Sequence, residues 1–471
     1  MKIPAPPVVR RRTFSVSLLV LSLGGCAVGP RYDAPPALDT PTAFKEGQGE
    51  WVRAVPADTL TRGPWWSLFD DSRLGELAQR VETSNQTLAA AAAAYAQARA
   101  LTAEQRASLF PTVSLDTGAS RSGGRGATPE RTNLQLGIGA SWEPDVFGRI
   151  GRGVAASRAA EQASLADLAS ARLALQGELA VNYFNLREAD AQRAILEATI
   201  GGFQRTLQIA QNRYTAGIAA RTDVLQAQTQ LANAQADLLG VERLRSQLEH
   251  AIAVLVGVAP ANFAIAPLPQ WRPTVPEIPI DVPSTLLQRR PDIASAERRV
   301  AQANEQIGIA LSGYFPSLRL SGSAGQGAAS IGDLFSVSAL VWSLGASLAQ
   351  TVFDAGATRA RVARTRAALD EAAANYRATV LRAFQEVEDQ LVAARILAQQ
   401  QVLRQQASTA ADLVEQQVLN RYQAGQVGFT EVVTAQATAA NARRALLQAQ
   451  VDRQTAAVAL IQALGGGWLG L

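Results

Sequence analysis

Few residues in this chain have types and spacings that bear on chemistry. Cys26 is the single thiol and His250 the single imidazole. One of each excludes a disulfide framework and nearly every metal site built on those ligands. No phosphate-binding loop and no set of nucleophile, imidazole and acid is present, so the chain reads as neither an enzyme nor a cofactor carrier. His250 falls mid-helix on a wet face. Cys26 explains itself by position: Arg10-Arg11-Arg12 precedes an apolar run, Phe14 to Leu23, that ends in Leu23-Gly24-Gly25-Cys26. Such a run is too short to span a bilayer as a stable helix, and small residues before the thiol suit processing followed by acylation.

The remaining candidates come in pairs. Arg213-Tyr214-Thr215-Ala216-Gly217, followed by Asp223 and Ala227-Gln228, returns as Arg421-Tyr422-Gln423-Ala424-Gly425, followed by Glu431 and Ala435-Gln436. The two glycines are 208 residues apart. Phe110-Pro111 returns as Phe315-Pro316 at 205, and Val146-Phe147 as Val352-Phe353 at 206. Echoes at nearly one offset predict a duplicated half-chain and internal pseudo-symmetry.

Bulk composition narrows the class. Aromatics are only 6% of 471 residues while Ala and Gln abound, which favours long helices over compact cores. The net charge of +4 resides in Lys2, Arg10, Arg11 and Arg12. Beyond residue 25, basic and acidic residues balance, and the electrostatic case for binding nucleic acid disappears.

The elements that must carry these residues follow from periodicity. From 27 to 64 the chain is rich in Pro and Gly and reads as an extended tether. Trp65-Trp66 reads as packing, and Asp70, Asp71 or Ser72 as the cap of one amphipathic helix running to Phe110. Beyond Pro111 the period becomes two. Val113, Leu115, Thr117 and Ala119 alternate with polar or small residues, and so do Leu134, Leu136, Ile138 and Trp142. Helical period then runs without proline from about 151 to 212, a rod of roughly 90 Å. It breaks at Gly217 and returns to about 256. A linker with eight prolines between 258 and 291 leads to the same plan again: helix, strands with Leu340, Trp342 and Leu344 on one face, a rod to about 420, a turn at Gly425 and a return to Leu464.

Four strands of about ten residues, apolar on one face, match a transmembrane barrel wall with Leu134, Leu136, Ile138, Trp142, Leu340, Trp342 and Leu344 toward lipid. Four strands cannot close, and an open edge in lipid costs several kcal/mol per unpaired backbone group. Other copies of the chain are therefore required. The competing reading, a soluble four-stranded sandwich, fits the Gly/Ser-rich second face less well than a wet lumen does.

Taken in order, the processing site, Trp65-Trp66…Phe69, Arg290-Pro291-Asp292-Ile293…Ala296-Glu297, Phe315-Pro316-Ser317 and both Arg-Tyr-x-Ala-Gly turns make the chain resemble a TolC/OprM-like outer-membrane efflux protein. The segment ending in Cys26 resembles a bacterial lipobox, and Ala27 after it points to the outer membrane. The resemblance implies a mainly α fold with a membrane β portion: long helical hairpins in an α-barrel, and four strands per chain in a trimeric 12-stranded barrel. It divides the chain into a signal peptide (1–25), a lipidated tether and equatorial segment (26–72), a first repeat (73–257, β-hairpin 112–146, tip near 217), a linker (258–290), a second repeat (291–464, β-hairpin 317–352, tip near 425) and a tail (465–471). It implies a homotrimer that meets a periplasmic adaptor and an inner-membrane pump, the lipoprotein form favouring a proton-driven one. It also places an acidic ring at the periplasmic aperture, at the positions of Glu431 and Thr434, where this chain keeps one carboxylate of two. The aperture and docking set is then Arg213, Tyr214, Gly217, Asp223, Arg421, Tyr422, Gly425, Glu431 and Thr434.

The implied function is a passive exit duct of a tripartite efflux pump. An ABC-driven secretion duct is the alternative. A periplasmic adaptor would show one helical hairpin inside a biotinyl-like β domain, not two hairpins in a duplicated chain. A wide aqueous lumen selects little, so cargo choice falls to the pump.

Overall fold

The computed structural model describes residues 28–33, 45–46, 64–124, 130–276, 290–334, 336 and 340–466. The expected signal peptide and Cys26 lie outside these residues. In chain order the elements are α1 (Ser72–Ser84), α2 (Gln86–Ala107), β1 (Thr112–Ser122), β2 (Arg131–Trp142), α3 (Arg149–Thr215), α4 (Arg221–Leu255), α5 (Pro291–Ser312), β3 (Ser317–Ala328), β4 (Leu340–Ala349), α6 (Ala357–Gln423) and α7 (Phe429–Ala463). They gather in two compact units, each drawing on both halves of the chain. One holds residues 98–160 and 299–372 with the start of the chain, and the other holds 35–97, 161–298 and 373–471.

The duplication is sharper in the structure than in the echoes. α3 and α6 are both 67 residues and α4 and α7 both 35, and each pair is displaced by 208. The turn glycines follow the same displacement: Gly217 and Gly425 have φ of +72° and +75°, and Gly148 and Gly356 have +79° and +89°, values open to glycine without steric cost. Upstream, β1 and β3 begin 205 residues apart. Three extra residues therefore lie in the second hairpin, within or beside its loop. The Val146-Phe147 and Val352-Phe353 echo, at 206, fits neither value. Phe147 stacks on Phe315 with ring centroids 5.0 Å apart, whereas Phe353 is exposed.

In the first unit the strands form one antiparallel sheet in the order β1-β2-β3-β4. The register sorts most of their side chains by polarity, with Gln326 on the apolar face and Val341 on the polar face as exceptions. Leu115 faces Ile138, Ile138 faces Ala324, and Ala324 faces Trp342. Leu136, Leu134, Leu320, Leu344, Leu348 and Leu340 fall on that same face, and Ser114, Asp116, Gly139, Ser323, Gly325, Ser343 and Gly345 on the other. Gly137 and Gly325 pair across β2 and β3 so closely that a Cβ on Gly325 would come within 2.9 Å of the Gly137 Cα.

In the second unit Trp65, Phe69, Leu74, Leu77, Leu179, Phe184, Ile252 and Ile461 share the largest core. A fully buried side chain of this size contributes about 1.5–3 kcal/mol. Asp71 is the helix cap, accepting from the backbone N–H of Arg73 and Leu74 at 3.0 Å each, and it also accepts from the Tyr183 hydroxyl at 2.9 Å. The single helix expected from 73 to 110 is two helices. Asn85 interrupts it in an extended conformation, with Oδ1 accepting from Leu88 N–H at 2.9 Å and Nδ2 donating to Leu255 O at 2.8 Å. The second bond ties α1 to the end of α4, which a continuous helix would not allow.

A buried charge cluster holds the linker onto this core. Asp190, fully buried, accepts from Arg187 Nη1 at 2.9 Å, Arg245 Nε at 2.7 Å and Leu268 N–H at 3.0 Å. The same arginines donate to the carbonyls of Ala266 and Ile265. Glu249 accepts from Ile265 N–H at 2.6 Å. The charges are neutralised and the linker backbone gains the partners that it lacks as irregular chain.

Candidate functional site

Three places carry the functional residues expected from the sequence. The first is the sheet. Leu134, Leu136, Ile138 and Trp142 of β2 and Leu340, Trp342 and Leu344 of β4 lie on one face by register. Trp342 and Leu344 are largely exposed, and Trp142 donates its indole N–H to Leu109 O at 3.0 Å at the strand base. One face of leucine, isoleucine and tryptophan backed by glycine, serine and aspartate is the pattern of a wall between lipid and water. The outer edges of β1 and β4 have no strand partner among the described residues. Among the described residues no helix is long and apolar enough to cross a membrane.

The second is the pair of helical tips, which pack on each other. Ala210 and Ala227 of the first tip share a core with Tyr422, Phe429 and Val432 of the second. Arg213 Nη1 donates to Tyr422 O at 2.9 Å, and its guanidinium lies 4.8 Å from the Tyr422 ring centroid. The Tyr422 hydroxyl is buried without a hydrogen-bond partner among the described residues, and burial raises its pKa. Its duplicate Tyr214 is 47% exposed. Asp223 is half-buried, while Arg421, Gly425, Gly217, Glu431 and Thr434 are exposed. The Thr434 hydroxyl donates to Thr430 O at 2.9 Å within its own helix. The structure thus brings Arg213 to Tyr422 and leaves both carboxylates without an ion pair among the described residues.

The third is the start of the chain. Val28 N–H donates to Phe147 O at 3.2 Å, and Arg152 donates to the carbonyls of Gly29 and Pro30 while pairing with Glu305 at 2.9 Å. Gly29 has φ +114°, and a Cβ there would meet Gly308 at 2.7 Å. Val28, Gly29 and Pro30 are thereby fixed at the foot of the first β-hairpin.

Sequence reasoning missed the purpose of Arg290. This buried guanidinium pairs with Asp292 and Glu386 at 2.7 Å each and donates to Ala463 O at 3.0 Å, joining the start of α5 to α6 and the end of α7. The Arg-Pro-Asp run was visible; its partners 96 and 173 residues away were not.

A one-sided sheet with open edges and paired helical hairpins of matched length define an outer-membrane duct protein. A sequence model described as outer membrane efflux protein matches residues 77–258 and 282–466. The antibiotic efflux pump outer membrane protein ArpC of Pseudomonas putida is 30% identical, covering 96% of this chain and 95% of its own. The pyoverdine export outer membrane protein OpmQ of Pseudomonas aeruginosa is 31% identical over 97% of both chains. The solved outer-membrane channel OprN superposes with a TM-score of 0.85 at 31% identity, covering 94% of this chain and all of that one. The chain belongs to the outer membrane efflux protein family.

Proposed function

We propose that this protein is the outer-membrane exit duct of a tripartite efflux pump, working as a homotrimer that joins a periplasmic adaptor and a proton-driven inner-membrane pump. The observation that carries the reading is the sheet: its apolar face needs lipid, its polar face needs water, and its two free edges need more strands. Three copies of four strands would close a twelve-stranded wall. The relatives' names differ in cargo, antibiotic for one and pyoverdine for another, as expected if the duct does not choose it. Cys26 is the proposed lipid anchor, supported by the fixed position of Val28 beside the β-hairpin.

Glu431, one per copy, forms the proposed acidic ring at the periplasmic mouth, with Thr434 one turn further along α7. Arg213 holds Tyr422 from the neighbouring tip of the same chain through its guanidinium, so the proposed constraint on the mouth runs through the arginine. Native mass in mild detergent tests the assembly: a trimer is expected, and a stable monomer overturns it. In planar bilayers Arg213→Ala with Glu431→Ala should raise conductance and weaken block by divalent cations, while Tyr422→Phe alone leaves both unchanged. Unaltered conductance and block in the double variant would reduce the tips to solvated turns.

A further inference from the structure

The foot of the second β-hairpin carries charge that its own segment does not balance. Residues 350–369 hold four basic residues, Arg359, Arg361, Arg364 and Arg366, against a single acid, Asp354. Asp354 is occupied as a helix cap, accepting from Gly356 N–H at 2.9 Å and Thr358 N–H at 2.7 Å. All four arginines are exposed, and none has an ion pair or hydrogen bond among the described residues. They stand within about three turns of the start of α6, the end of a helix whose dipole disfavours positive charge. The same stretch of α3 is built otherwise. The displacement of 208 sets Gly151, Gly153, Ala156 and Arg158 at these positions, so only one of the four is basic there. The arginines with which α3 does begin are paired, Arg149 with Glu143 at 2.6 Å and Arg152 with Glu305 at 2.9 Å. The basic start of α6 is therefore not a requirement of the repeat. Apolar surface directly precedes it: Val352 and Phe353 are 95% and 86% exposed, and Leu348 continues them into the apolar face of β4.

We propose that this basic foot binds the phosphate headgroups of anionic phospholipids at the periplasmic edge of the membrane, with Val352 and Phe353 among the adjoining acyl chains. The occupant is a lipid because the apolar face of β4 leads into the site without a break, so the ligand needs an apolar part as well as an anionic one. A Cα–Cβ bond in a helix tilts toward the helix N-terminus, so these arginines reach back toward the sheet and not down the rod. Guanidinium groups meet phosphate oxygens in bidentate pairs, and unpaired arginines are free to do so. Thr358 and Val362 are buried and mark the face by which α6 packs on its own chain. At 100° per residue, Arg359 and Arg366 fall on one flank of that face and Arg361 and Arg364 on the other. In a closed wall one flank faces the membrane surface and the other the lumen, so a single pair meets the lipid. This inference rests on the membrane-wall reading above and adds the class of lipid held at its lower edge.

Native mass spectrometry of the full-length protein, stripped of lipid in mild detergent and titrated with phosphatidylglycerol or phosphatidylcholine, tests it. The parent should retain about tenfold more phosphatidylglycerol than phosphatidylcholine at equal lipid concentration. Arg359→Gln with Arg366→Gln, and Arg361→Gln with Arg364→Gln, remove the same charge from the same helix. One of these double variants should lose the preference and the other keep it. Excess sn-glycerol 1-phosphate should displace no lipid; displacement would make this a site for soluble phosphate esters and overturn the lipid assignment. Absence of preference in the parent, or the same behaviour in both double variants, overturns it too. The mass of the assembly separates the two claims: any of these failures in a trimer leaves the duct intact, whereas a monomeric parent overturns both.

Discussion

Leu136→Arg and Gly118→Arg place the same charge at nearly the same height on opposite faces of the sheet. Leu136 stands directly opposite Thr117, the residue before Gly118, and register assigns it to the apolar face. At mid-bilayer an arginine on a lipid-facing position costs about 2–4 kcal/mol per chain. At 1.4 kcal/mol per decade, that is roughly 30- to 700-fold in the insertion equilibrium. Gly118 lies on the polar face with nothing within 4 Å of a Cβ built there, so its arginine extends into the lumen without displacing a neighbour. Gly137 is a poorer control, because its Cβ would sit 3.4 Å from Ala324 O and 3.5 Å from Gly325 Cα. Urea-dependent folding into lipid vesicles, followed by the mobility shift between folded and heated protein on gels, reads the difference. Leu136→Arg should shift the folding midpoint strongly to lower urea, and Gly118→Arg should fold as the parent does. Equal loss in both variants would mean that the sheet does not separate lipid from water.

Further outcomes follow from the proposed anchor, the charge cluster and the capping network. Cys26→Ser should lose its acyl chains yet remain in the outer-membrane fraction, since lipid anchors are weak beside a transmembrane wall; recovery as soluble periplasmic protein contradicts the wall. Asp190→Ala leaves Arg187 and Arg245 without their buried acceptor and should cost about 3–5 kcal/mol, seen as an earlier loss of helical circular dichroism and faster proteolysis near residues 263–276. Burial pushes the Tyr183 phenol up to about 12 from its ordinary 10. Its stabilisation is complete below pH 10 and is lost as pH rises through 12. Tyr183→Phe should flatten the alkaline fall in melting temperature over that window, at a loss of about 1 kcal/mol near neutrality from the missing bond to Asp71. An unchanged alkaline profile would assign the fall to other groups.

Much of this molecule was legible because its signals are local. Period two located the strands, period 3.6 the rods, and Gly217 and Gly425 the turns, with the rod ends placed to about three residues. The faces of the sheet were legible for the same reason, since alternation along one strand fixes its neighbours once register is known. What stayed hidden depends on residues far apart in the chain. The break at Asn85 looks like any polar position in a helix, and only Leu255 O, 170 residues later, gives it a reason to leave helical geometry. The cluster at Asp190 needs α3, α4 and the linker together. At the tips the sequence presents two equal copies of Arg-Tyr-x-Ala-Gly, but a single chain satisfies only one of them.

The equal lengths of the paired helices tie the two halves together in evolution. One residue added to α3 alone would rotate everything beyond it by about 100° and advance it by 1.5 Å, carrying Arg213 away from Tyr422. The same addition made in α6 restores the match between halves but not the phase within each hairpin, which returns only when the descending helix lengthens too. Insertions in the rods are therefore tolerated as coordinated sets of four, near multiples of seven residues, where phase nearly repeats. The strand connections carry no such constraint, and there the halves differ by three residues. Relatives with longer or shorter rods should change all four helices in step, while their β-hairpin loops vary freely.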